Sequence, residues 1–203
     1  MAADSMGAGD AAHQRLLVSL SEALRSNALP GELDGFDTDE SLDAASFVME
    51  CAEQRPADTP LVRVESLGGQ VGHRRMRIAI INDDMPFLVD SVAAAITQFD
   101  LVIHRLLHPV VKVTRDGEGN LQDFAAEGAK ESVIYMEVDR ADARTRRDLS
   151  EELHRVLADV RASVGDWRSM QQQMKDDAAT VDDPEGRSLL DWFADGAMTL
   201  LGY

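Results

Sequence analysis

The sequence is poor in cysteine, in aromatic residues and in positive charge. Cys51 is the single cysteine among 203 residues, which excludes an internal disulfide and a thiolate-based metal site. We expect Cys51 to be a small buried helix residue in a reducing compartment rather than a nucleophile. Lysine and arginine number 20 against 37 aspartates and glutamates, giving a formal net charge of −17. A field of that sign disfavours nucleic acid and anionic membranes as partners.

Long apolar runs and nucleotide-binding motifs are missing as well. No stretch approaches the ~20 apolar residues that span a bilayer, and the N-terminus lacks the basic and apolar blocks of a signal peptide. The chain has neither a G-x-G-x-x-G motif nor a P-loop, and no helix start follows Gly117 and Gly119. Hydrophobic residues make up 44% of the chain, enough for a folded core. These features predict a cytoplasmic globular protein with no cofactor site in this stretch.

A strand, a polar turn and a helix between residues 75 and 100 organise the rest of the chain. Alternating apolar residues predict the strand, and Asn82, Asp83 and Asp84 end it, because their short side chains bond to nearby amides. Pro86 fits the first helical turn, where a missing N–H costs little. The apolar face of the helix consists of Leu88, Val92, Ala95, Ile96 and Phe99. The turn exposes helix amides at a polar corner and is therefore a candidate ligand site.

Apolar periodicities elsewhere predict further strands and helices. The strands are expected over 61–67, 74–81, 101–113 and 132–138, with helices in residues 1–56, from Thr145 or Asp142 past Trp167, and over 188–197. The third strand is apolar from Leu101 to Val111, so we expect it to be covered on both faces. Residues 176–186 are acidic and weakly patterned, which predicts a linker. Residues 198–203 resemble the opening of a strand, and we expect the sequence to be the N-terminal part of a longer protein.

Several blocks of sequence resemble one known family. The run Ile81-Asn-Asp-Asp-Met-Pro-Phe-Leu-Val-Asp-Ser-Val92 resembles a signature near the N-termini of the large bacterial NAD-specific glutamate dehydrogenases. Further blocks resemble the same family in the same order, at 108–109, 115–117, 131–132, 138–140, 160–167 and 190–203. The resemblance implies a non-catalytic regulatory and assembly domain of an enzyme of amino acid catabolism. That enzyme converts L-glutamate to 2-oxoglutarate with NAD, which binds far downstream of this stretch.

The resemblance also implies an α+β fold of the ACT-like (ferredoxin-like) kind, a four-stranded antiparallel sheet with two helices on one face. We divide the chain into an N-terminal helical segment at 1–56, an ACT-like regulatory domain at 57–175, and a linker with the start of the next domain at 176–203. The family's fourth strand usually follows the second helix, whereas here it comes first, at 61–67. One bare sheet face and two edges need cover, so the expected partners are other domains of the same long chain and a second copy in a homo-oligomer.

The turn after the first strand of an ACT domain often binds a small amino acid. By this resemblance the effector-binding residues are Asn82, Asp83, Asp84, Met85, Pro86 and Phe87. The family's turn commonly reads Asp-x-Pro-Gly, and Phe87 replaces that glycine with a ring that should crowd the pocket. Three other roles stay open for the polar residues: capping the helix, binding a cation, and, as the weakest alternative, acid–base chemistry by the two aspartates.

No catalytic or metal-binding residue is predicted in this stretch. His104 and His108 are four apart on a strand and so share a face, about 13 Å from each other. That separation is too large for a single metal ion, whose nitrogen ligands lie about 2 Å away. Tyr135 and Trp167 are expected to be core or interface aromatics.

Overall fold

The computed structural model describes residues 3–26, 28, 31–68, 75–124 and 127–200, and of residues 3–10 and 12 the backbone alone. The helices are α1 (Ala3–Ser26), α2 (Thr38–Ala52), α3 (Leu88–Gln98), α4 (Ala143–Thr180) and α5 (Pro184–Trp192), followed by a π-helical turn at Phe193–Ala197. The strands are β1 (Leu61–Ser66), β2 (Arg75–Asp83), β3 (Ile103–Leu107), β4 (Val110–Arg115), β5 (Leu121–Phe124) and β6 (Ala129–Asp139). The fold is thus α+β, as the sequence predicts.

The sheet is antiparallel and has six strands in the described part of the chain, rather than the four predicted. Its order is β1-β2-β6-β4-β5, with β3 also paired to β6. The strand predicted over 101–113 is two strands, β3 and β4, which lie one after the other along the same edge of β6. Pro109 separates them, because a proline has no N–H to donate to the ladder. Strand β5 was not predicted, because its sequence is short and largely polar and shows no alternation of apolar and polar residues.

Helices cover both faces of this sheet. Along β2, Ile78 and Ile80 pack into the core beneath α3 and α4, whereas Ala79 and Ile81 pack against α1 and α2. Helices α3 and α4 share one face, and the expectation that the other face is bare within this chain is wrong. The N-terminal helical pair fills the face that we expected a partner subunit or another domain to cover. Strand β1 does precede β2, as predicted, and the structure pairs it with β2 at the sheet edge.

The longest helix, α4, follows its predicted pattern and then continues further. Asp142 caps it by accepting a hydrogen bond from the Thr145 N–H at 2.8 Å. The residues that it buries at the sheet are Leu149, Leu153, Leu157 and Val160. The helix ends at Thr180 and α5 begins at Pro184. The linker predicted over 176–186 is thus reduced to three residues between two helices, while the tripartite division of the chain stays a prediction.

Residues singled out as inert in the sequence lie in ordinary structural settings. Burial raises the pKa of the Cys51 thiol to about 11, against an opposing effect of Arg63, so the thiol is protonated and unreactive at neutral pH. His104 contacts Asp139 at 2.7 Å, and His108 is hydrogen-bonded to Ser132 at 2.6 Å.

Over the described ranges, no three His, Cys, Asp or Glu side chains are placed to hold a metal. Within the same ranges, no helix has the length and apolar character needed to cross a bilayer.

Candidate functional site

Two carboxylates face each other where strands β2 and β6 pair. Asp83, the last residue of β2, is the register partner of Glu131 in β6. Like charges directly opposite each other destabilise an antiparallel pair. Arg55, which follows α2, lies between them and donates to Asp83 at 2.8 Å and to Glu131 at 2.9 Å. The side chains of Arg55 and Glu131 are each 4% exposed, so this is a buried ion pair.

Two further arginines complete this group, which we call the strand-end ion cluster (Arg55, Arg115, Arg161, Asp83 and Glu131). Arg115, at the end of β4, binds Glu131 through two bonds of 2.8 and 2.9 Å. Arg161, on α4, donates to Asp83 at 2.6 Å and to the Asn82 side-chain oxygen at 2.9 Å. Asp83 is therefore bonded from both sides of the sheet, by Arg55 from the α2 side and by Arg161 from the α4 side.

The arginines keep both carboxylates ionised. Burial alone raises the pKa of Asp83, but hydrogen bonds from Arg55 and Arg161 outweigh it and bring the pKa below its usual value. The pKa of Glu131 is lowered in the same way, because the bonds from Arg115 and Arg55 outweigh its burial. A carboxylate held in its charged form by two arginines is poorly matched to proton transfer at neutral pH.

These lowered pKa values predict a loss of stability in acid. Because the unfolded carboxyls have the higher pKa, the unfolded chain binds more protons than the folded chain at low pH. The contribution of Asp83 and Glu131 is complete above about pH 4.5, the ordinary range of unfolded carboxyls. It is lost as the pH falls through their lowered folded-state values. Urea unfolding at about pH 7 and about pH 3 measures the difference, and equal midpoints at the two pH values would contradict the expectation.

The structure places the six predicted effector-binding residues in four different settings. Asn82 and Asp83 belong with the arginines, and the Asp84 N–H bonds to the Lys130 carbonyl at 3.3 Å. Met85 packs on the core beneath α3. The last two, Pro86 and Phe87, line a separate apolar cavity. Helix α3 begins after Phe87 with no side-chain cap, so the capping role considered for the polar residues is wrong.

One buried amide beside the turn has unused hydrogen-bonding capacity. Asn82 is 1% exposed, and among the described residues its side-chain nitrogen is one of two buried polar atoms that lack a partner. Its register partner, Ser132, bonds to His108 instead. Burial lowers the pKa of His108, with Asp84 opposing, which favours a neutral imidazole. An unpaired buried donor is costly and calls for an explanation.

Phe87 occupies a conformation that glycine favours. Its φ is +70°, in the left-handed region, and the residue is nonetheless 47% exposed. The ring lines an apolar cavity of about 210 Å³ together with Val164, Trp167, Met198 and Leu200. A bulky residue in this region costs about 1–3 kcal/mol, and so exposed a ring gains little from burial. Phe87 lines this cavity, and the crowding of an effector pocket by its ring stays a prediction.

We expect Phe87→Gly to be more stable than Phe87→Ala by about 0.5–1 kcal/mol. Both variants remove the ring, but glycine adopts a positive φ without the Cβ strain that alanine retains. Part of that gain is offset by the greater freedom of glycine in the unfolded chain. Urea denaturation of the two variants measures the difference, and a more stable alanine variant would show that the left-handed conformation is not maintained.

Comparison with known proteins agrees with the geometry of the sheet and turn. The family model described as the glutamate dehydrogenase ACT1 domain matches residues 20–153. The NAD-specific glutamate dehydrogenase of Pseudomonas aeruginosa is 32% identical over 173 residues, which cover 74% of this chain and 11% of that protein. The enzyme of the same name from Halomonas elongata is 32% identical over 188 residues, 81% of this chain and 12% of its own length. The chain thus belongs to the glutamate dehydrogenase ACT1 domain family, and it spans about a tenth of the length of these relatives.

Proposed function

We propose that this chain is a non-catalytic regulatory and assembly domain of a large NAD-dependent glutamate dehydrogenase. The observation that carries the proposal is the bonding of Asp83, the residue that opens the turn. In a domain of this family, Asp83 at the end of β2 is held by two arginines, Arg55 from the segment after α2 and Arg161 from α4, which approach it from opposite faces of the sheet. Such an arrangement fixes the relative positions of the packed elements. Asp83 is occupied by these ion pairs and is not available for chemistry.

The parent enzyme would supply the chemistry from other parts of its polypeptide. The relatives from Pseudomonas aeruginosa and Halomonas elongata carry the name NAD-specific glutamate dehydrogenase, and this chain matches 11% and 12% of their lengths. We propose that the parent oxidises L-glutamate to 2-oxoglutarate with NAD as hydride acceptor. The cofactor then binds outside these residues, and this domain acts through contacts with other domains of the same chain or with further subunits.

Three proteins test this proposal: the purified chain, the full-length parent, and the parent lacking residues 1–203. We expect no NADH from the isolated chain with glutamate and NAD, and turnover by the full-length enzyme. We expect the truncated parent to differ in its assembly state or in its response to effectors, measured by light scattering and by initial rates. NADH formation by the isolated chain would contradict a non-catalytic role, and a truncated parent with unchanged assembly and kinetics would contradict a regulatory one.

A second function, amino-acid sensing at the turn, has one specific observation in its favour. The unpartnered side-chain nitrogen of Asn82 is buried at the end of β2, beside the start of α3, where a ligand carboxylate could accept its hydrogen bond. Calorimetry of the folded chain with a panel of free amino acids tests this function. Heat with one amino acid that is lost in Asn82→Ala would support sensing, and no heat with any of them would remove it.

A further inference from the structure

We propose that the outer groove between α3 and α4 binds a basic amphipathic helix from a part of the parent polypeptide that lies outside this sequence. We call it the α3–α4 groove. It has a volume of about 480 Å³ and its walls are formed by Phe87, Ser91, Ala94, Val156, Val160 and Ser163. The inference rests on the proposed function, since it requires the chain to be one domain of a longer enzyme.

The shape of the groove suits a helix. The small side chains of Ser91 and Ala94 leave room above α3. At one end, Phe87 and Ser163 are shared with the apolar cavity of about 210 Å³ that Trp167 also lines. Along α4, the distance from Val156 to Trp167 is about 16 Å at 1.5 Å per residue, the length of about three helical turns. A partner helix of that length presents two or three apolar anchors at positions i, i+4 and i+7.

Three of the eight large apolar residues that are exposed in the described part of the chain lie together at this place. Phe87, Trp167 and Met198 are 47%, 38% and 38% exposed, and all three line the cavity that continues the groove. Exposed apolar residues that cluster in this way mark an interaction surface, and large aromatic residues dominate the energy of such surfaces. Phe87 is in addition held in a left-handed backbone conformation. A strained residue that is also half exposed is consistent with a side chain retained for contact.

The acidic side chains of the α3–α4 groove favour a basic partner. Asp90 on α3 and Asp159 on α4 lie on the two sides of the groove. Arg155 pairs with Asp159 at 2.7 Å and also contacts Glu152. The three carboxylates and the one guanidinium therefore have a net charge of −2. The chain as a whole has a net charge of −17, so a second copy would bring like charge to the groove. The relatives extend far beyond the matched region, with 11% and 12% of their lengths covered, which leaves ample polypeptide to supply the helix.

A cysteine placed in the groove tests this proposal by its reactivity. Ser163→Cys lies in the groove, whereas Ala162→Cys is its exposed neighbour on α4 and serves as the matched control. The native Cys51 is half-buried with a pKa raised to about 11, so it competes weakly for a maleimide. Each variant is made in the 203-residue chain and in the full-length parent, and labelling at the engineered site is followed by peptide mass spectrometry.

We expect Ser163→Cys to react at least about tenfold more slowly in the full-length parent than in the isolated chain, with Ala162→Cys unchanged. Adding Asp90→Asn and Asp159→Asn should restore at least half of the lost rate. Equal Ser163→Cys rates in the two proteins would overturn the proposal. Slow labelling of Ser163→Cys already in the isolated chain would also overturn it. Labelling that slows as the protein concentration rises would indicate a second copy in the groove, and slow labelling at every concentration would indicate cover from within the chain. Protection that is insensitive to the two asparagines would overturn the basic partner. None of these rates depends on NADH formation, so a failure of the proposed function would be recognised separately.

Discussion

Replacing Glu131 by glutamine is expected to lower the free energy of unfolding by about 3–5 kcal/mol, the usual cost of breaking a buried ion pair. Glu131 accepts two bonds from Arg115 and one from Arg55, and its side chain is 4% exposed. The glutamine amide is neutral and brings donors of its own toward the arginines. It would leave the buried guanidinium of Arg55 with one carboxylate, that of Asp83.

The matched control for this variant is Glu50→Gln. Glu50 also pairs with an arginine, Arg63 at 2.7 Å, but its side chain is 57% exposed. Exposed ion pairs contribute little because water screens them, so this variant should unfold close to the unmodified chain. Urea unfolding followed by circular dichroism measures both. If the two variants were destabilised equally, burial would not be the reason that the strand-end ion cluster matters.

Replacing Gly119 by alanine should cost about 2–4 kcal/mol, combining left-handed strain with overpacking. Gly119 has a φ of +86°, and a Cβ there would lie 2.3 Å from the backbone oxygen of Arg55. Its own carbonyl accepts hydrogen bonds from the Arg55 N–H and from the Arg115 side chain, each at 2.9 Å. Any backbone shift that relieves the clash therefore displaces two members of the strand-end ion cluster.

Two other glycines separate the causes of this effect. Gly35 has a φ of +67° with nothing within 4 Å of its Cβ position, so Gly35→Ala isolates the backbone strain. Gly117, in the same loop as Gly119, has open space and no positive φ, so Gly117→Ala should stay within about 0.5 kcal/mol of the original chain. We expect the losses in unfolding free energy to rank Gly119 first, Gly35 second and Gly117 last. A Gly119→Ala loss no larger than that of Gly35→Ala would show that the close approach to Arg55 carries no weight.

Local patterns in the sequence were sufficient to predict the centre of the fold. The strand–turn–helix around Asn82, the alternation along β6 and the buried face of α4 all depend on neighbours within a few residues. The capping of α4 by Asp142 is of the same kind. Each of these signals is local in sequence, so the prediction of the elements does not require knowledge of distant contacts. Burial is different along β6, where residues 131–138 are all buried because helices cover both faces of the sheet.

The strand-end ion cluster could not be predicted in this way. Asp83 and Glu131 become neighbours through the register of β2 with β6, and a shift of one residue would place them on opposite faces. Arg55 lies 76 positions before Glu131 in the sequence, in a segment with no periodic pattern. The one available signal was Arg161, a charged residue directly after the buried Val160 of α4. The cover of the second sheet face was missed because an amphipathic pair in residues 1–56 does not specify the surface on which it packs.

The length of α4 has a mechanical consequence. Beyond Arg161 the helix continues for about 28 Å at 1.5 Å per residue, and Ala178 is its one buried residue in that half. The bonds of Arg161 to Asn82 and Asp83 hold one end of this part of the helix in place. Helix α5 and the turn after it pack against this half, and the Gln171 side chain donates to the Ala194 carbonyl at 2.9 Å. Because a helix moves as a rigid element, we expect a displacement of these packed segments to reach Asp83 through Arg161, and the opposite layer through Arg55.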